Sequence, residues 1–212
     1  MKRFAMTTIF ILMAFCLFAV DADLITKEMD WNSPEALLIE GSFSDQSAVG
    51  SFKQIKSLAT STRKFTSTGT MQIMPGTGIV WYTEKPYASV LVVGKNSLSQ
   101  SVRGGDFTHL EIANNQIYVS IAQCMDAMFS GDFTTLQSMF KAYFLIEDGE
   151  WSLKLIPQDK TVSSFMDYIV MSGKSCLESL LIFEKSGDSV LYEISDLTYR
   201  GLTEDELAVY SH

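Results

Sequence analysis

Residues 50–100 read GSFKQIKSLATSTRKFTSTGTMQIMPGTGIVWYTEKPYASVLVVGKNSLSQ, and the fold turns on how this stretch is parsed. Short alternating apolar and polar segments are separated by Gly, Pro and Asn, which predicts successive antiparallel strands joined by tight turns. No helix of ordinary length fits between the breaks. Strands are expected at about residues 48–58, 64–74, 78–83, 87–93 and 97–102. The stretch holds no His, Cys or Asp and one acidic residue, Glu84, so it cannot assemble a carboxylate pair or a metal site. It is more a wall than a reaction centre, and its face should hold something apolar.

Working outward, Ser33-Pro34-Glu35 places a cap before proline and predicts a short amphipathic helix ending at Gly41. On the other side, Ile117, Ile121, Met125 and Met128 recur at three- and four-residue spacing between a capping Asn114 and Gly131, the pattern of one amphipathic helix. Such a stripe packs as core, and methionine also suits a surface that accepts flexible chains in several arrangements. Residues 132–136 continue as a short helical turn. Residues 140–147 and 151–155 form a hairpin about Asp148-Gly149, closed by Pro157, and strands follow at 163–171, 176–184 and 189–196. Between Phe165 and Met171 both alternating sets are apolar, so that strand needs partners on both faces. Thr203 to Glu206 reads as a capping box opening a last helical turn in the acidic tail.

Lys2 and Arg3 precede an apolar run from Phe4 to Val20, and small residues follow to Ala22, the form of a cleavable secretory signal peptide over residues 1–22. The alternative is an uncleaved anchor, for which the run is short. A lipoprotein signal fits less well, because Phe15 precedes Cys16. The remaining residues 23–212 suit a single domain with 14 basic and 24 acidic side chains, a net charge of −10. That balance argues against nucleic acid as a partner and against more than transient membrane contact. No other apolar run is long enough to span a bilayer, so the mature chain is expected to be soluble and, in an oxidising compartment, free to pair Cys124 with Cys176. Such a bridge is worth on the order of 4 kcal/mol in the chain-entropy model. The alternative is two buried thiols acting as small hydrophobes. No CxxC is present and His109 is the only internal histidine, so neither a zinc site nor another metal or cofactor is expected.

Phe52-Lys53-Gln54, Gly69 opening a strand segment, Pro75 before the apolar run to Trp81, Lys85-Pro86, and Gly94-Lys95 before Leu98 together resemble the periplasmic outer-membrane lipoprotein carrier (LolA-like) family, in a divergent branch. The W-x-L-x-L-x-P hairpin and the following Gly-Asp hairpin add to the likeness. The resemblance implies an α+β fold: a strongly curved, incompletely closed antiparallel β-sheet, a half-barrel, with helices plugging its concave face. It also implies a monomeric periplasmic carrier. Such a protein shields the acyl chains of a lipidated protein, glycolipid or lipid-linked intermediate between an inner-membrane exporter and an outer-membrane acceptor. One departure stands out: where many members have Arg-Pro at the end of the second strand, this chain has Met74-Pro75, and a thioether cannot donate the lid-closing hydrogen bonds. Either the mouth closes differently or the cargo differs, and a glycolipid or lipid-linked intermediate is the favoured reading. The alternative is a shifted match, with Arg63 or Lys64 supplying the charge.

The expected cavity contacts are Phe52 from the first strand, Phe65, Met71 and Ile73 from the second, Trp81 from the third, Val90 and Val92 from the fourth, and Met125 and Met128 from the helix. Face parity slips by one wherever a strand is bulged. No residue is expected to be catalytic. An esterase would need His109 as base, and no G-x-S-x-G elbow is present. A different class of reading is a docking or scaffold protein that binds an envelope transport complex without carrying lipid.

Overall fold

In the computed structural model the described residues are 21–94, 97–111 and 116–211. They form one twelve-stranded antiparallel sheet. In chain order its strands are β1 (Lys27–Glu28), β2 (Ala48–Ser57), β3 (Lys64–Met74), β4 (Gly78–Lys85), β5 (Ser89–Gly94), β6 (Ser97–Val102), β7 (Thr108–Glu111), β8 (Phe140–Glu147), β9 (Glu150–Pro157), β10 (Met166–Gly173), β11 (Leu177–Glu184) and β12 (Ser189–Tyr199). Five helices accompany them: α1 (Pro34–Glu40), α2 (Gln116–Ser130), α3 (Phe133–Met139), α4 (Lys160–Ser163) and α5 (Glu204–Ala208).

The spatial order is β1-β8-β9-β10-β11-β12-β2-β3-β4-β5-β6-β7, so β1 and β7 stand at two free edges and the sheet is an unclosed half-barrel. Its halves are joined where the late strand β12 returns to the early strand β2, paired from Ser189 opposite Ser57 to Ser195 opposite Ser51 and, past a bulge, from Thr198 opposite Val49 to Tyr199 opposite Ala48. Hairpins make every other strand link except those of β1 and the passage from β7 to β8. Asp148 and Gly149 both take positive φ, 50° and 77°, as the two-residue turn between β8 and β9 requires.

Three elements differ from expectation. Residues 160–163 are helical, because the Asp159 carboxylate accepts from the backbone N–H of Thr161 at 2.8 Å and of Val162 at 3.0 Å; the strand starts only at Met166. The edge strands β1 and β7 were not expected, being too short to show a period. Residues 1–20, to which most of the signal-peptide reading applies, lie outside the described residues, as do Asn114 and Lys95. No helix among the described residues is long and apolar enough to cross a membrane.

The two terminal segments brace the sheet's outer face. Lys154 on β9 donates to the carbonyl of Ala22 at 3.0 Å and sits 5.1 Å from the Tyr168 ring centroid, which in turn stacks on Phe183 at 5.0 Å. Tyr168 and Val170 therefore cover the outer side of β10 while Ile169 and Met171 fill the inner side, which explains a strand apolar on both faces. At the other terminus Arg200 N–H donates to Ser47 O, α5 follows with the expected capping box, and a 3-10 turn at Val209–Ser211 lies against β4 and β5.

Candidate functional site

Directly opposed residues of antiparallel strands project to one face. Met71 stands opposite Trp81, and Trp81 opposite Leu91; likewise Ile73 faces Ile79, Ile79 faces Val93, and Val93 faces Leu98. These side chains line the concave face and belong to one continuous core with Phe52 and Ile194 of β2 and β12. Trp81 and Tyr192 lie 6.4 Å apart on the wall, and Phe129 of α2 closes edge-on over both, at 5.7 and 6.3 Å. Tyr192 OH accepts from Gln54 Nε2 at 2.8 Å, and burial pushes its phenol up to about 12. The indole Nε1 of Trp81, buried in this chamber, has no hydrogen-bond partner.

An excursion of chain from edge strand β7 to β8 covers the chamber together with Ala36 and Ile39 of α1 and Val162 of α4. It carries α2 and α3, which turn Cys124, Ala127, Met128, Phe129, Phe133, Leu136 and Met139 inward. The helices meet at Gly131, whose φ of 71° ends α2 while Asp132 N–H bonds back to Ala127 O. Asp132 then caps α3 by accepting from Thr135 N–H at 3.0 Å. Around α3 stand Trp31 and Phe43, each edge-on to Phe133 at 5.7 and 5.8 Å, and Phe43 also rests on Trp151 at 5.8 Å.

Of the expected contacts, Phe52, Met71, Ile73, Trp81 and Met128 lie buried in this chamber, and Met125 packs half-buried against it. Phe65 shares the face of Met71 but sits at the far end of β3, beyond the helices, 55% exposed. Val90 and Val92 require correction. They oppose Tyr82 and Val80 and so point outward, while the inward residues of β5 are Leu91 and Val93. The run Val90-Leu91-Val92-Val93 has no polar member to betray its parity. The signal that could have fixed it is the short turn after Lys85, which sets Thr83 opposite Ser89 and hence Trp81 opposite Leu91. The possible disulfide is not formed: Cys124 and Cys176 are both free thiols, the alternative that the sequence left open. Cys124 sits on α2 inside the core, and Cys176 lies in the turn between β10 and β11. Burial pushes the Cys124 thiol up to about 12, leaving it chemically quiet.

The accessible space is elsewhere. A cleft of about 940 Å³ opens where the β3–β4 turn, Pro75 to Gly78, faces α2 and α3. Its lining includes Glu40, Asp45, Asp126, Asp132 and Asp159 and no Lys or Arg. The apolar chamber is thus filled by the protein's own side chains, and the open cleft is polar and acidic. His109 Nδ1 lies 2.9 Å from Ser99 Oγ across the β6–β7 ladder, but Ser99 is 1% exposed, so no substrate reaches that hydroxyl. Among the described residues no cluster of His, Cys, Asp and Glu is arranged to hold a metal ion.

No protein-family profile matches the chain, and no curated protein does. Among solved structures it is similar to a LolA superfamily protein from Nitrosomonas europaea, at 11% identity over 81% of this chain and 95% of that one, with a TM-score of 0.45. It is also similar to a domain assigned to outer membrane lipoprotein sorting from Vibrio parahaemolyticus, at 13% identity over 84% and 97%, TM-score 0.43. A third is the MucA/MucB complex of Pseudomonas aeruginosa, at 13% identity over 81% of this chain and 58% of that one, TM-score 0.38.

Proposed function

We propose that this protein is a periplasmic carrier that takes acyl chains of a lipidated protein, glycolipid or lipid-linked intermediate into its half-barrel and passes them between membranes. The observation that carries the reading is the cover of the concave face: an apolar wall drawn from most of the strands is closed by helices, with the α2–α3 segment joined by Ala36 and Ile39 of α1 and Val162 of α4. Lifting that segment exposes one continuous apolar surface without breaking a strand pair. Burial of an acyl chain there is worth about 0.8 kcal/mol per methylene, set against the lid contacts that are given up. Trp81, Leu91, Val93 and Tyr192 line the wall on this reading, and Met125, Met128 and Phe129 are the adaptable cover. Release then needs a tighter-binding acceptor.

The test is native mass spectrometry of gently purified protein with extraction of any bound lipid, followed by uptake of a fluorescent fatty acid by wild type and by Trp81→Glu. A stoichiometric lipid and capture lost in the variant support the carrier. Empty protein that takes up no probe overturns it. A second reading, a docking protein of an envelope complex that carries nothing, is favoured by the filled chamber and by the polar character of the cleft. It predicts that Trp81→Glu leaves partner binding intact wherever the fold survives.

A further inference from the structure

Three neighbouring loops at one end of the sheet gather exposed cations on an otherwise acidic chain. They are residues 58–63 between β2 and β3, 86–88 between β4 and β5, and 103–107 between β6 and β7, brought side by side because β2 to β7 are consecutive in the sheet. Arg63, Lys64, Lys85 and Arg103 stand on or beside them, all exposed, and none has an ion-pair partner among the described residues; Lys56, Lys154 and Lys160 lack one too, whereas Lys27, Lys53, Lys141, Lys174, Lys185 and Arg200 each hold a carboxylate. The carboxylates nearby are Glu84 and Asp106, with Asp188 on the adjoining turn engaged by Ala59 N–H at 2.9 Å. Interleaved with the cations are three large apolar side chains left in water: Phe65 at 55%, Tyr87 at 63% and Val102 at 51% exposure.

The rim is built rather than loose. Arg103 N–H donates to Ala88 O at 2.8 Å, and its guanidinium lies 5.1 Å from the Tyr87 ring centroid, so two of the loops are tied together. The acidic cleft is at the opposite end of the same strands. Ten residue steps along β3 separate Lys64 from Met74, about 33 Å.

We propose that this rim docks the protein on an anionic lipid surface. Arg63, Lys64, Lys85 and Arg103 meet the headgroups, and Phe65, Tyr87 and Val102 enter the interfacial layer. A polyanion such as nucleic acid or an acidic protein would satisfy the cations and leave the three apolar groups in water. A bilayer interface takes both, since aromatic and long cationic side chains share that zone. The five carboxylates of the cleft reinforce the orientation: repelled by the same surface, they hold the mouth away from it, toward the aqueous side. The proposal does not depend on what the chamber carries.

Vesicle flotation of the full chain tests it, using phosphatidylcholine with roughly one phosphatidylglycerol in four against phosphatidylcholine alone. Residues 1–20 are common to all variants, so differences between variants read the rim. Wild type is expected to bind the anionic vesicles more tightly, and the preference to fall as salt is raised. Each cation near such a surface contributes roughly fivefold, so Lys64→Gln/Lys85→Gln/Arg103→Gln should weaken binding on the order of a hundredfold. Phe65→Ser/Tyr87→Ser should weaken it about tenfold or more. Both variants alter exposed side chains and should melt with wild type, which separates lost docking from lost fold. Equal binding to both vesicles, or a triple variant that binds as wild type does, overturns the proposal. So does wild type that ignores vesicles yet binds heparin through these cations, which would assign the rim to a soluble polyanion.

Discussion

The ring of Phe43 rests on the backbone of Gly131, so closely that a Cβ at that position would stand 2.4 Å from Phe43 Cγ. This contact joins the loop after α1 to the joint between α2 and α3, and the same ring touches Phe133 and Trp151. Gly131 is therefore needed twice, for its φ of 71° and for the space above it. Gly131→Ala should cost about 1 to 3 kcal/mol, read as a lower urea midpoint with unchanged slope. On the carrier reading it should also speed uptake of an acyl probe, because the lid seats less well. Phe43→Leu in the same chain should recover part of the loss. A lone Gly131→Ala with an unshifted midpoint would show that this contact does not hold the joint.

Leu91 and Val90 are adjacent, similar in burial and opposite in direction. Leu91→Gln puts an amide among Trp81 and the lid residues, whereas Val90→Gln puts it on the outer face beside Tyr82. Both should cost about 1 to 3 kcal/mol in stability. Only Leu91→Gln should reduce capture of a fluorescent fatty acid. Equal loss of capture in the two variants would mean that the concave face is not where the chain binds.

That pair also marks the limit of what the sequence discloses. The strand series from Ala48 to Val102 is legible because Gly, Pro and Asn punctuate it, and its bounds fall within a few residues of β2 to β6. The inward set on β3 is legible too, since Met71 and Ile73 alternate with polar Thr70. On β5 every residue from Val90 to Val93 is apolar, because the outer side of that strand is itself covered by the C-terminal turn, and alternation then carries no information about direction. The basic rim escaped for a different reason. Arg63, Lys64, Lys85 and Arg103 are scattered over some forty residues and come together only through strand pairing, while the net charge points the other way.

Cys124 should report on the lid. Its thiol is 1% exposed and pushed up to about 12 by burial, first, and by the nearby Asp159 carboxylate. Cys176 is half-buried, and its thiol is raised by burial too. Peptide mapping after brief alkylation at neutral pH should find Cys176 modified and Cys124 spared. An added fatty acid that displaces α2 should bring Cys124 into reach and raise its labelling several-fold. Labelling of Cys124 at the Cys176 rate in the absence of any lipid would show that α2 does not stay seated, and a rate indifferent to lipid would count against an opening lid.

The C-terminal segment is pinned by Arg200, whose guanidinium makes two bonds to the Glu206 carboxylate at 2.7 and 2.8 Å while Thr203 N–H donates a third. The Arg200 bonds chiefly, with the Thr203 N–H, hold Glu206 down to about 2. A carboxyl depressed in the folded state stabilises fully above its ordinary value of 4.5 and loses that contribution as pH falls through about 2. Tail attachment should therefore be insensitive to pH from neutrality down to about 5 and weaken progressively below it. Cleavage after Arg200 is the direct measure at neutral pH, where Glu206→Gln should be cut by trypsin faster than wild type. In acid, pepsin sensitivity of the tail should rise for wild type and change little for Glu206→Gln, the two converging near pH 2. If the two proteins kept a constant difference from neutrality to acid, the Arg200–Glu206 pair would not be what fastens the segment over β4 and β5.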